Sequence, residues 1–174
     1  MEQMNKRVKW KNGYVYALPL TDGSYSVAQA IDSMMPNIGY CAVFNYRFSC
    51  FPPSVPALNK RNIIALLAVT KVSIKIERWS ILGEATLAAK KKDFPNERFA
   101  RKGYVGSVTY DSGLIEDLVS GYYALIPWNA LFEETFYDEM LLHGIKRPTS
   151  VVILSVEERQ KYRENILGIK TSDN

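Results

Sequence analysis

With 174 residues, 47% of them hydrophobic and 23% charged, the chain has the makeup of one globular domain spanning 1–174, which excludes a disordered or fibrous architecture. A net charge of +4 is too small for this length to single out a polyanion partner. Two cysteines, Cys41 and Cys50, cannot staple a disulfide scaffold, and one histidine, His143, cannot build a His-based metal cluster.

No apolar stretch follows the basic residues of the first eleven positions, so a secretory signal is not expected. The longest apolar run, Ile63 to Val69, is far short of the roughly 20 residues that cross a bilayer. The expectation is a soluble cytoplasmic protein with free thiols, no membrane contact and no cofactor.

In chain order, apolar residues alternate on both sides of Asp22-Gly23, which predicts a β-hairpin of Tyr14 to Leu20 and Ser24 to Ser33. A turn at Pro36-Asn37 leads to a third run, Tyr40 to Phe48. The three strands form a meander whose inward set is Val15, Ala17, Val27, Ile31 and some of Ala42, Phe44 and Tyr46, with the other sheet face left wet. Phe51 to Pro56 holds three prolines and reads as a loop. Ile63 to Val69 reads as a buried strand and Val72 to Trp79, which alternates, as a half-exposed one. A loop follows through Lys90-Lys91-Lys92 and Pro95. Tyr104 to Tyr110 alternates again and, with Asp111-Ser112-Gly113 as its turn, suggests another hairpin.

The period then changes. Pro127 suits a first helical turn, and Trp128, Leu131, Phe132, Thr135, Phe136 and Met140 recur at helical spacing, leaving Glu133, Glu134, Tyr137 and Asp138 on the opposite face. Gly144 and Pro148 stop that helix, with His143 interacting with its C-terminal dipole. Val151 to Leu154 reads as a short strand. Ser155 with Glu158 is a capping-box pattern opening a last helix to about Leu167, with Gly168 as its stop. The fold class is therefore α+β: an antiparallel, strand-rich meander or partial SH3-like barrel in the N-terminal two-thirds and two helices in the C-terminal third.

Charge is unevenly spread. No Lys or Arg lies between Lys102 and Lys146, whereas Asp111, Glu116, Asp117, Glu133, Glu134, Asp138 and Glu139 do. An acidic face steers a basic protein partner, and a tyrosine among carboxylates is a rigid anchor of the kind enriched at interfaces. The candidate partner-binding residues are accordingly Glu116, Asp117, Glu133, Glu134, Tyr137 and Asp138. A second patch, Lys90, Lys91, Lys92, Arg98, Arg101 and Lys102 interleaved with Phe94, Phe99 and Tyr104, has the ingredients of single-stranded nucleic acid binding without the spacing of an RNA module. Adjacent carboxylates such as Glu133-Glu134 read as a solvated helix face, not a magnesium site. No Gly-rich phosphate loop, nucleophile elbow or Cys-x-x-Cys occurs, so an enzyme is not expected.

Trp10 to Leu20, then Asp22-Gly23-Ser24-Tyr25 and Gln29-Ala30-Ile31-Asp32, resembles the immunity protein 26 family of bacterial polymorphic toxin systems. Ile76 to Gly83 and Pro95 to Phe99 look like that family's second recurring segment. The likeness covers about the first hundred residues and departs from the family at Tyr14, where an Asp usually follows the first Gly. It implies a cytoplasmic, non-catalytic α+β protein that binds and neutralises a cognate toxin domain and so protects the producing cell. A start of this kind also looks like small SH3-like barrels, including endoribonuclease toxins. RNA binding or RNA cleavage is thus the alternative, although nucleic acid is not the expected partner.

Overall fold

The computed structural model describes residues 9–166 and 168. Its centre is a five-stranded antiparallel sheet of β1 (Tyr14–Pro19), β2 (Tyr25–Met35), β3 (Ile38–Phe44), β4 (Ile63–Thr70) and β5 (Ser80–Glu84). The strand order is β4-β3-β2-β1-β5, so β1 to β4 are a meander and β5 returns to the far side of β1. The order is linear, with β4 and β5 as edges, and it agrees with the meander form of the expected α+β class. Register shifts between Ala30 and Asp32 and between Ser33 and Met35 mark bulges in β2, which bend the sheet.

The expected inward set is correct for one face: Val15, Val27, Ile31, Ala42 and Phe44 share a core with Tyr40, Leu66, Ala68, Ala89 and Phe94. The other face is not wet. Tyr16, Leu18, Ala28, Ala30, Cys41, Val43 and Val69 form a second core against Ile115, Leu118, Val119, Trp128, Tyr137 and Met140. That second layer comes from α2 (Ser112–Tyr122), α3 (Thr135–Met140) and the chain between them. Burial on both faces leaves Cys41 enclosed, and desolvation pushes its thiol up to about 12; Cys50 is exposed, and the two are unpaired.

Four expected elements take other shapes, each for a traceable reason. Val72 to Trp79 is not a strand, because β3 ends its pairing at Ile38–Thr70 and offers no partner beyond it. The chain instead makes one helical turn, α1 (Val72–Lys75), which buries Ile74 and leaves Val72 and Ile76 exposed. It closes through Glu77 at φ 61° and through the Arg78 and Trp79 amides, which donate to the Ser73 carbonyl at 2.8 and 3.1 Å. Tyr104 to Tyr110 is not a hairpin, because Gly103, Tyr104 and Gly106 all have positive φ; only Tyr110 pairs, as a parallel bridge to Val69.

The helix expected from Pro127 is confined to Thr135–Met140. The Trp128 amide donates to the Val152 carbonyl at 2.8 Å, and the Asn129 side chain donates to the Leu154 carbonyl and accepts from the Leu154 amide at 2.8 and 2.9 Å. Backbone held in that way cannot coil. Residues 151–154 run alongside without becoming the expected strand. The capping box is as read: the Ser155 amide donates to Glu158 at 2.8 Å and the Glu158 amide to the Ser155 hydroxyl at 3.2 Å. It opens α4 (Val156–Ile166), while Leu167 lies outside the described residues.

The clamp on residues 128–154 sets an expected outcome. Asn129→Ala removes both bonds to Leu154 and should cost about 1 to 3 kcal/mol in urea unfolding, as for other buried polar groups stripped of a partner. A change of a few tenths would mean that 151–154 is held by packing alone.

Candidate functional site

Two of the stretches that carry the resemblance, Trp10 to Leu20 and Ile76 to Gly83, lie side by side. β1 pairs with β5, with Tyr16 opposite Ile81 and Ala17 opposite Ser80. The rings of Tyr16 and Trp79 are 6.2 Å apart, and those of Trp10 and Tyr16 are stacked at 5.9 Å. Trp10 packs flat over Gly39, where an added Cβ would lie 2.2 Å from the indole, so only glycine admits the ring. Its indole nitrogen donates to the Asp32 carbonyl at 3.2 Å, and the Lys71 ammonium sits 5.2 Å above the ring. The Tyr16 hydroxyl donates to the Lys9 carbonyl at 2.7 Å, and burial pushes its ionisation up.

Over this base opens a groove of about 880 Å³ between the Lys9–Tyr14 segment, α1 and β5. Its floor is aromatic, from Trp10, Tyr14 and Trp79, and its walls carry Lys9, Lys11, Lys75 and Glu77. Lys11 donates to Glu84 at 2.6 Å, a bond that raises the Lys11 pKa. Ile81, 37% exposed, lines the groove, while Ile76, 64% exposed at the end of α1, lies outside the lining with exposed Val72 on the same turn. Because β5 is an edge strand, the groove also borders an unpaired side of the sheet.

The expected acidic face is broken up by folding. Glu116 is only 5% exposed: it accepts from the Trp79 indole nitrogen at 2.8 Å and from Arg78 Nε at 2.6 Å, tying α2 to the groove from beneath. Tyr137 is 1% exposed and belongs to the core, packed against Trp128 and Phe132, so it is not the surface anchor expected among carboxylates. Burial, with Asp117 close by, raises its pKa. The register differs because α3 begins at Thr135, which turns Tyr137 toward the sheet. Glu133, Glu134 and Asp138 do reach the surface, each with an arginine: Glu133 with Arg159 at 2.6 Å, Asp138 with Arg147 at 3.1 Å, and Glu134 with Arg147. Arg163 fixes α4 further by donating to the Ala130 and Leu131 carbonyls at 2.8 and 2.7 Å. Asp117 is half-buried without an ion pair among the described residues, and desolvation and the Glu116 charge raise its pKa.

The basic stretch keeps Arg98, Arg101 and Lys102 at the surface on a 3-10 segment, Pro95–Lys102. Phe94 is core, stacked on Tyr40 at 4.4 Å, and cannot stack on a base. Glu97 accepts from Tyr40 at 2.7 Å and from Tyr104 at 3.1 Å, which fixes Tyr104 inward. His143 is exposed beyond the end of α3. Among the described residues no three His, Cys, Asp or Glu side chains converge as metal ligands, and no helix is long and apolar enough to cross a membrane. Comparison with protein-family models, with curated proteins and with solved structures finds no match for the chain.

Trp10, Tyr14, Trp79 and Ile81 all stand within the family-like stretches, but sequence reasoning does not assemble them, because β5 lies beside β1 only through a connection that crosses the whole sheet. Two outcomes test the support beneath the groove. Glu116→Ala orphans the buried Trp79 N–H and should cost about 1 to 3 kcal/mol in chemical denaturation. Asp117→Asn should stabilise the protein at neutral pH. The folded carboxyl holds its proton more tightly than the unfolded one, so stability is lost as pH rises through the folded value. The gain should close as pH falls below the unfolded value, checked by unfolding curves across acid pH.

Proposed function

We propose that the protein is an immunity-type inhibitor that binds a toxin domain of another protein and blocks it one to one, making and breaking no bonds itself. The observation that supports this most is that Trp10 to Leu20 and Ile76 to Gly83, two of the stretches that carry the resemblance, meet in one aromatic-floored groove lined by exposed Ile81, while Pro95 to Phe99, the rest of the second segment, lies outside it. The groove, in place of the arginine-paired carboxylates, is the principal docking face in this reading. Ile76 and Ile81 are the apolar anchors, and the lysines steer and orient the partner. Glu133, Glu134 and Asp138 contribute at most a rim, since a partner's cations would have to displace Arg147 and Arg159. The cytoplasm, where such a toxin acts, is the place of action this function requires.

The test is protection. The chain is co-expressed with toxin domains of polymorphic secreted proteins, beginning with any that is found encoded beside its gene, and growth is compared with and without the chain. Wild type should restore growth. Ile76→Glu with Ile81→Glu should lose protection, with affinity down about 30-fold or more if these residues are anchors, at unchanged circular dichroism. Full protection by that double variant would remove the groove, and growth indifferent to the chain beside an active toxin would remove the inhibitor role. Turnover of RNA by the purified protein would transfer the reading to the ribonuclease alternative.

A further inference from the structure

At the opposite edge of the sheet, β4 is covered only in part. Tyr110 pairs with it at one end: the Tyr110 amide donates to the Ala68 carbonyl and the Thr70 amide donates to the Tyr110 carbonyl, both at 2.9 Å. Near the other end the Leu142 amide donates to the Ile64 carbonyl at 2.7 Å. Backbone groups alternate sides along a strand, so the peptide groups of Leu66 point to this same edge, as does the Ala68 N–H. Had residues 108–110 continued the parallel pairing begun at Tyr110, the Val108 carbonyl would have taken the Ala68 N–H. The buried Asn96 side chain takes that carbonyl instead, donating to it at 2.8 Å, and holds the chain off the strand.

The result is a cleft of about 350 Å³ whose floor is Leu66, 6% exposed; by strand alternation the Leu66 N–H and C=O point along this edge, with the Ala68 N–H next along it. Buried main-chain polar groups are almost always satisfied, so this series calls for a partner. We infer that the cleft binds an extended peptide segment of another protein, two or three residues long, one of which completes the β4 edge. Three points favour that occupant. A strand residue offers the matching acceptor and donor at strand spacing, and the same edge already accepts a β-bridge from Tyr110 and a backbone bond from Leu142. Phe99, Met140 and Leu142 give an apolar wall for a side chain. The rim carries charges of both signs, Arg98 against Asp93 and Glu139, which suits a neutral backbone over an anion or a cation. This inference is independent of the groove at β5, and a peptide held here leaves that face open.

The probe is a blocked tripeptide, N-acetyl-Leu-Val-Leu-amide, titrated into the ¹⁵N-labelled full chain. The Leu66 and Ala68 amide resonances should move saturably. The same peptide N-methylated at its central residue should bind about tenfold more weakly, since it loses a backbone hydrogen bond. Val108→Trp, at an exposed wall position, should fill the cleft and abolish the shifts. No saturable shift up to the solubility of the probe would overturn the inference and leave water as the partner of Leu66. Equal binding of the N-methylated peptide would overturn it too, by showing apolar contact without strand completion. Both of these measurements use the wild-type chain and hold whether or not the tryptophan variant folds.

Discussion

Every central strand of the sheet carries apolar side chains on both faces, and the rest of the chain therefore has to supply two covers. Tyr16 and Leu18 face one core, Val15 the other; the same division separates Ala28 from Val27 and Val43 from Ala42. Burying a large apolar side chain is worth about 1.5 to 3 kcal/mol, so an uncovered face would forfeit many such contributions. The four short α-helices among the described residues cannot cover two faces, and irregular chain does much of the work. Residues 85–94 lie over one face, held by Gln29, whose side-chain amide donates to the Ala85 and Thr86 carbonyls at 3.1 and 3.0 Å and accepts from the Ala88 amide at 2.9 Å. Residues 123–134 lie over the other, held by Asn129 and by the α4 arginines. Buried side-chain amides do here what repeating secondary structure does elsewhere: they satisfy the main chain wherever it lies flat on the sheet.

Charge follows the same logic. The segment between Lys102 and Lys146 contains no cation, and packing it against the sheet without compensation would bury or crowd its carboxylates. Arginines from elsewhere in the sequence come to it: Arg78 to Glu116, Arg147 to Glu134 and Asp138, Arg159 to Glu133. The three surface pairs are exposed enough that each adds little to stability, but they orient α3 and α4. Glu116 differs because it is buried. A carboxylate out of water is tolerable only with its partners in place, and here those partners come from the segment that enters β5, so the charge on α2 helps to fix the strand bearing Ile81.

How much of this was legible depends on whether the determining interaction was local. The hairpin was readable because Asp22-Gly23 encodes its own turn: the Asp22 carboxylate accepts from the Ser24 amide and hydroxyl and from Arg47, which together hold it down to about 2. Ser155 and Glu158 likewise interact three residues apart. Tyr137 was placed on the wrong face because helical spacing from Pro127 was sound as a pattern, while the partners that prevented coiling, Val152 and Leu154, lay some 25 residues away. Val72 to Trp79 alternated as a strand should, but a strand needs a neighbour, and only the end of β3 reveals that none is there. The buried second face was visible in part: Ile63 to Val69 is a continuous apolar run, the mark of a strand covered on both sides, whereas the hairpin strands read as alternating and one-sided. The groove was not legible, since nothing local tells β5 to cross the sheet and lie beside β1.

The two edges of the sheet show different answers to one hazard. An open edge invites pairing with other chains, and proteins commonly blunt it with cover, bulges or charge. β4 is closed at both ends by backbone bonds from Tyr110 and Leu142. β5 has a register shift opposite Val15 and Tyr16 and lysines 9, 11 and 75 around it, two devices that discourage indiscriminate pairing. Under the proposed role, Ile81 exposed at such an edge nonetheless favours association, and Lys9 and Lys75 nearby favour a partner of opposite charge, Lys11 being already paired with Glu84. In the proposed inhibitor role, an edge guarded in this way would take one heterologous partner and discourage indiscriminate pairing.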